Sequence, residues 1–295
     1  MKRKQNKETM NNSNKTIRKQ QVLITGASTG IGYATALYLD KIGFKVFAGV
    51  RKESDKQKLQ QNSSANLTPI ILDVCDMQSI TSTFETVSNQ LGDDTFSLVN
   101  NAGLSLNGPL ELLSFADIRK LLDVNVYGLL SVTKAFLPLI RESKGRLVNI
   151  SSGHGLLAIP DKSVYAASKF AVQAISDSLR IELKPFEVSV SNVVVGKVNT
   201  SVLGKIESDR KKMLENTNPK VVAKYLPLIE YFDKEVKDIP GIEAIEIAKT
   251  ISDAVSSSKP KAQYIIGPGA KKMKMLAGFP RKMRDNMLYN AIYKK

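Results

Sequence analysis

Apolar residues recur along this chain as short uninterrupted runs, separated by longer stretches with helical spacing. Val22-Leu23-Ile24 is the first run. T-G-A-S-T-G-I-G follows it, then a helical pattern over Tyr33 to Ile42 that Gly43 closes. Further runs lie at Phe44 to Val50, Leu67 to Leu72, Phe96 to Val99, Arg146 to Ile150, Val188 to Val195 and Tyr264 to Ile266. Between them the spacing predicts helices over about Ser114 to Ser143, Ser163 to Lys184 and Glu243 to Ser256. Strands apolar throughout are buried on both faces, and strands alternating with helices imply a parallel sheet. The expected fold class is therefore α/β: one doubly wound parallel sheet of about seven strands with helices on both faces.

Two stretches break the alternation. Residues 201–240 read as two helical segments, Gly204 to Asn216 and Pro219 to Lys237, punctuated by Pro219, Pro227 and Pro240. An insertion at the C-terminal edge of such a sheet is placed to cover a ligand crevice. Residues 271–295 carry Leu276, Phe279, Met283, Met287 and Leu288 at helical spacing among lysines and arginines. That is a basic amphipathic extension. Such a helix packs on its own domain with a solvated basic face or makes peripheral contact with an anionic membrane; the first is the expectation here. Residues 1–20 are polar, basic and without apolar periodicity, and are expected to be a disordered tail. The main domain is expected over residues 21–270.

Charge changes the picture less than its total suggests. The chain has 295 residues and a formal net charge of +15, which first points to nucleic acid. Residues 1–20 hold seven Lys/Arg against one Glu, and residues 271–295 hold eight against one Asp, so the body between them is nearly neutral. A nucleic-acid binder carries its basic stripe on the fold itself, so no nucleic-acid partner is expected. One cysteine, Cys75, allows no internal disulfide, and one histidine, His154, makes a His/Cys metal cluster untenable. No apolar run reaches a membrane span, and the amino end lacks a secretory core. A cytoplasmic setting is expected. Cys75 is expected to be buried at a strand end and His154 to face water in a loop.

Three stretches carry candidate chemistry. Thr25 to Gly32 links a predicted strand to a predicted helix. Gly26, Gly30 and Gly32 let the backbone turn sharply, and the helix N-terminus offers N–H groups to a pyrophosphate. The second strand ends V-F-A-G-V-R-K, with Val50 where an NAD-binding acid would stand and Arg51 after it, which favours the 2′-phosphate of NADP. The stretch V-Y-A-A-S-K-F places Tyr165 and Lys169 four residues apart, on one face of a helix. A nearby cation lowers a phenol's pKa, so this pair is suited to exchanging a proton with an alcohol or ketone.

Thr25 to Gly32, Asn100-Asn101-Ala102-Gly103, Asn125, Ser152 and Tyr165/Lys169 together resemble the short-chain dehydrogenase/reductase family, closely over Gln21 to Thr200 and more loosely to Gly269. The resemblance implies a Rossmann-like domain and a hydride transfer with NADP or NAD. Gly26, Ser28, Thr29, Gly30, Ile31 and Gly32 would cradle the cofactor, with Arg51, Asp73, Val74, Asn101, Ala102, Gly103, Tyr165, Lys169, Gly196 and Thr200 also lining its site. Ser152 would hydrogen-bond the substrate oxygen and Tyr165 would pass the proton. Lys169 would hold the nicotinamide ribose and keep the tyrosine pKa low. Asn125 would link Lys169 to a water chain. Val195 departs from the family's proline at the end of the sixth strand, which touches the loop but not the proton-transfer residues.

The expected activity is an NADP-preferring oxidoreductase that interconverts a hydrophobic secondary alcohol and its ketone. Leu104, Leu106, Leu156, Leu157, Val202, Leu203, Leu226 and Phe232 are candidates for an apolar crevice. V-F-A-G-V-R and the extended C-terminus also resemble members acting on steroids or retinoids. The resemblance further implies a homo-oligomer paired through the helices carrying Asn125 and Tyr165. The rival reading is a nucleotide-sensing regulator on the same fold without turnover.

Overall fold

The computed structural model describes residues 20–199 and 202–294. Thr200 and residues 1–19 of the expected tail lie outside the described residues. The apolar runs form seven strands: β1 (Gln20–Ile24), β2 (Lys45–Val50), β3 (Leu67–Ile71), β4 (Thr95–Asn100), β5 (Arg146–Ser152), β6 (Ser189–Val195) and β7 (Gln263–Ile266). They make one wholly parallel sheet in the order β3-β2-β1-β4-β5-β6-β7. The register sets Val22 beside Val46 and Leu23 between Phe47 and Leu98.

Successive strand residues point to opposite faces, which builds two cores. Val22 and Ile24 face one core, against Ala36 and Leu39 of α1 (Gly30–Lys41) and Ile247 and Ile251 of α9 (Ala244–Ser256). Leu23 faces the other, against Ile80 and Val87 of α3 (Met77–Leu91) and Phe136 of α5 (Leu129–Glu142). Phe47, Phe96 and Phe136 are completely buried there, each worth roughly 1.5–3 kcal/mol of transfer free energy. The apolar, β-branched strands are explained by this two-sided burial. The amphipathic stripes of the helices are explained by having one face against the sheet.

The helix expected over Ser114 to Ser143 is divided. α4 (Phe115–Leu122) and α5 are joined by a π-helical turn over Asp123–Gly128, which contains Asn125. A π turn adds a residue to the helical ladder and re-aims the side chains within it, a device common at functional sites. α2 (Glu53–Gln61) is almost wholly polar and buries only Leu59, which is why its pattern does not stand out in the sequence. The insertion folds as α7 (Val202–Glu215) and α8 (Pro219–Asp238).

The C-terminal segment forms α10 (Pro268–Ala277) and α11 (Arg281–Tyr293). Ile292 packs with Leu228 and Phe232 of α8, and Tyr225 and Tyr231 border that small cluster. Phe232 is thus part of the contact between α8 and α11. Among the described residues no helix is long and apolar enough to cross a membrane. The strand order reverses between β1 and β4, so a crevice opens at the C-terminal ends of those strands.

Candidate active site

The glycine-rich turn leaves β1 at Thr25 and enters α1 at Gly30. Gly26 has φ +66°, a left-handed conformation that favours glycine, and lies against Ala102. A Cβ on Gly32 would stand 2.4 Å from both Asn101 Nδ2 and the Gly26 carbonyl oxygen, so only hydrogen fits. The turn is fastened to the end of β4 by a set of hydrogen bonds. The backbone N–H groups of Asn101 and Ala102 both donate to Thr25 Oγ1, at 3.0 and 2.9 Å. Asn101 Nδ2 donates to the carbonyls of Thr25 and Gly26, at 2.9 and 3.0 Å. Ser28 is half-buried, Thr29 exposed, and Ile31 packs on the core beneath. Thr29 is the N-cap of α1, and its side chain makes no capping bond. The first-turn N–H groups and the positive end of the helix dipole are therefore free for an anion.

The rim of the crevice carries the remaining cofactor candidates. Arg51 is exposed just beyond β2, and its charge acts on Cys75 beyond β3. The two strand ends are thus neighbours. Asp73 accepts from the Cys75 N–H at 3.0 Å, which shapes that turn, and Val74 is buried against Gly128 at the end of the π turn. Gly103 is exposed, and a side chain there would approach Asn125 Oδ1 and Lys169 Nζ at 3.4 and 3.6 Å. The N–H of Gly196 donates to the Ile266 carbonyl at 2.9 Å, and Gly196 is backed by Ala270 at the start of α10.

Ser152, Tyr165 and Lys169 converge between the end of β5 and α6 (Ser163–Glu182). Tyr165 is half-buried, and the Ser152 hydroxyl is hydrogen-bonded to its phenol. Lys169 is buried, its Nζ 5.9 Å from the Tyr165 ring centroid and donating to the Ile150 carbonyl at 3.0 Å. Burial pulls the Lys169 pKa down to about 8. Burial pushes the Tyr165 phenol up, and the hydrogen bond from Ser152 opposes it. Desolvation is the larger influence on the phenol, and the group that opposes it is Ser152. Ser151, the neighbouring serine, faces the opposite way and is engaged with the Lys169 carbonyl and Gln173.

Asn125 is held by three hydrogen bonds of its side chain. Its amide donates to the Leu104 carbonyl at 2.9 Å and to Ser168 Oγ at 3.0 Å, and its Oδ1 accepts from the Leu104 N–H at 2.7 Å. Both donor hydrogens are committed. Asn125 therefore pins the loop beyond β4 to α6.

Two further expectations are corrected. His154 does not face water. It is half-buried with its ring edge-on to Tyr165, centroids 5.7 Å apart, and burial lowers its pKa to about 3. Cys75 is exposed rather than buried. No group of three or more His, Cys, Asp or Glu suited to a metal occurs among the described residues.

Comparison with known proteins decides the family. The short chain dehydrogenase model matches residues 20–211, which span both the glycine-rich turn and the Tyr165/Lys169 pair. The chain belongs to the short-chain dehydrogenase family. It is similar to short-chain dehydrogenase/reductase family 9C member 7 of Bos taurus, at 36% identity over 278 residues, covering 90% of this chain and 88% of that one. It is also similar to the mitochondrial D-beta-hydroxybutyrate dehydrogenase of Bos taurus, at 37% identity over 261 residues, covering 82% and 75%. A solved short-chain dehydrogenase from Streptomyces avermitilis superposes with a TM-score of 0.75 at 27% identity, covering 92% and 96%. This short-chain dehydrogenase is thus an oxidoreductase of the nicotinamide-dependent kind that its family and relatives are.

The residues of this short-chain dehydrogenase fit that cofactor on their own geometry. The uncapped α1, the left-handed Gly26 and the filled space behind Gly32 bring bare backbone to the start of the helix, which is what a pyrophosphate needs. Thr25 was part of the motif in the sequence, but its hydroxyl's hold on two backbone groups was not readable there. The same is true of Asp161, Lys162 and Arg210, which meet beside the active site from positions up to 49 residues apart.

Proposed function

We propose that this short-chain dehydrogenase interconverts a hydrophobic secondary alcohol and its ketone, with NADP preferred over NAD. The observation that carries the reading is the convergence of Ser152, Tyr165 and Lys169 at the open end of the sheet, beside an uncapped α1 N-terminus. The dinucleotide, when bound, supplies or accepts the hydride. All else falls to the chain. Gly26, Ser28, Thr29, Gly30, Ile31 and Gly32 would hold the pyrophosphate, and Asp73, Val74, Asn101, Ala102, Gly103, Gly196 and Thr200 would line the rest of the site. Arg51 would meet a 2′-phosphate, which an acidic residue at Val50 would repel.

Tyr165 would pass the proton at its Oη. With burial holding its pKa up, the phenol is protonated at neutral pH and is ready to donate to a developing alkoxide. Ser152 would donate to the same oxygen, so charge arising there meets two aimed donors. Lys169 would hold the ribose and supply positive charge beneath the ring. Asn125 would act by positioning the Leu104 loop and α6.

α7 and α8 would cover the substrate end, with the half-buried Leu104, Leu106 and Leu156 as apolar walls. The exposed Leu122, Tyr127, Leu130 and Phe170 on the π turn, α4, α5 and α6 suit pairing with a second copy. α11 keeps Met283, Met287, Tyr289 and Tyr293 exposed among basic residues, a face suited to peripheral membrane contact.

A panel of aliphatic, steroid and retinoid ketones, followed by NADPH absorbance, tests the activity. Oxidation of NADPH with at least one class is expected, and NADPH should bind more tightly than NADH in parallel titrations. Cofactor binding without turnover of any member would instead support a nucleotide-sensing regulator.

A further inference from the structure

The insertion after β6 is a flap on one neck. The chain leaves the sheet at Val198 and returns at Ile242, and these two residues are bridged in parallel. The Asn199 N–H donates to the Ile242 carbonyl at 3.0 Å, and the Ile242 N–H to the Lys197 carbonyl at 2.9 Å. α7 and α8 lie between these roots, so contacts away from the neck decide where they sit. Three such contacts reach the loops that follow β4 and β5. Met213 of α7 lies on Gly108, where a Cβ would stand 2.5 Å from its Sδ. The Tyr225 hydroxyl of α8 donates to Glu111 Oε2 at 2.6 Å. Arg210 of α7 donates to both carboxylate oxygens of Asp161, at 3.1 and 2.5 Å.

The Arg210–Asp161 contact differs from the other two. Among the described residues it is the one ion pair with both side chains buried. Asp233 of α8 stands 3.3 Å from the Nε of the same guanidinium, so Arg210 also ties α7 to α8. Asp161 is in turn a junction. Its φ is +68°, a left-handed conformation that a residue other than glycine keeps where its surroundings hold it. Its carbonyl accepts from the Gly108 N–H at 2.9 Å, which joins the two loops. The next carbonyl, that of residue 162, accepts from the Ala166 N–H at 2.7 Å and so begins α6. Tyr165 stands in that first turn. The grip of Arg210 on Asp161 therefore sets the insertion against the start of the helix that carries the phenol.

A buried ion pair adds little net stability, because desolvation offsets most of the attraction, but a two-pronged one fixes a single arrangement. Lifting the flap returns both charges to water, which offsets the loss of their attraction. Such a contact suits a segment that seats and lifts in each turnover. We infer that Arg210 is a positioning residue: its grip on Asp161 seats α7 and α8 on the two loops that flank Tyr165, and reduction of the ketone proceeds from that seated state. The inference rests on the alcohol/ketone reading above and adds to it the residue that closes the site. Closure keeps water from Ser152 and Tyr165 and strengthens their hydrogen bonds to the substrate oxygen. The contacts named here do not involve the glycine-rich turn, so NADPH binding is independent of the latch.

The test uses the full chain with NADPH and the ketone that the unaltered enzyme reduces best. Arg210→Met removes the grip but strands the Asp161 carboxylate. Arg210→Met combined with Asp161→Asn removes the grip and strands no charge, so the double variant separates the latch from stability. Its kcat/KM is expected to fall at least about 10-fold, with NADPH affinity within about threefold of the unaltered enzyme. Arg210→Lys keeps the charge without the fork and should fall between the two. Hydrogen exchange adds a readout that needs no turnover: α7 and the first turn of α6 should exchange faster in the double variant, and Thr25 to Gly32 should not. Unchanged kcat/KM in the double variant, unchanged exchange in α7, or an equal loss of NADPH affinity overturns the inference. If the double variant does not fold, Arg210→Lys carries the same measurements, judged by the same outcomes. Turnover that survives loss of the latch removes this inference alone. No turnover of any ketone by the unaltered enzyme removes the alcohol/ketone reading and this inference with it.

Discussion

Replacing Arg210 with methionine tests the contact that fastens the insertion to the loop before Tyr165. The Asp161 side chain is 0% exposed and that of Arg210 is 9% exposed, so this is a buried pair. Removing the guanidinium strands a carboxylate in the interior, which typically costs about 3–5 kcal/mol. Asp233 is half exposed and loses little, and Lys162 can partly compensate, so the lower end of that range is expected. Burial already pushes the Asp161 pKa up, with Arg210 opposing it. In the variant the opposition is gone, so the folded pKa stands still further above the unfolded one. Between those two values the folded state binds the extra proton, and folding is destabilised as pH rises through that window. Urea unfolding should therefore show a deficit of about 3 kcal/mol at pH 7 and a smaller one at pH 5. Adding Asp161→Asn should restore at least half of it. A deficit under about 1 kcal/mol at pH 7 with no pH dependence would refute the reasoning, because it would mean the pair is solvated as surface pairs are.

Two other perturbations probe the cofactor side and the lysines. Thr25→Val keeps the shape of a 1%-exposed side chain but removes the acceptor for two backbone N–H groups. A loss of about 1–3 kcal/mol in thermal or urea stability is expected, together with weaker NADPH binding by fluorescence titration. Lys169 and Lys162 have folded pKa values near 8, below the ordinary lysine value. Between there and about 10.5 the unfolded chain binds more protons, so these groups make stability rise with pH and lose that contribution as pH falls through 8. Lys169→Met should flatten the measured stability between pH 8 and 10 relative to the unaltered chain, and an equal slope in both would contradict its burial.

The strands were legible because both faces of the sheet are covered. Runs such as Val46 to Val50 are apolar throughout and have no other stable setting. The glycine-rich turn and the Tyr165/Lys169 spacing were legible because each is a local pattern with a local cause. What escaped depended on contacts distant in sequence. No residue type marks a π turn, so Ser114 to Ser143 read as one helix, although the break re-aims Asn125 toward Leu104 and Ser168. His154 read as a loop residue because only the folded chain lays Tyr165 beside it. The sign of the Tyr165 shift depends on how deeply α6 sinks its side chains, which spacing alone does not give. Arg210 looked like one more charge on a polar helix until Asp161, 49 residues earlier, was seen to meet it.

The central claim is that Tyr165 passes the proton, and that the cofactor's hold on the chain does not depend on its hydroxyl. The direct measurement is Tyr165→Phe, with NADPH binding followed by fluorescence and ketone reduction by absorbance in the same preparation. Phenylalanine keeps the ring and removes only the hydroxyl. The account predicts NADPH affinity within about threefold of the unaltered enzyme and a fall in kcat of about 10²-fold or more. Full turnover by Tyr165→Phe would contradict it.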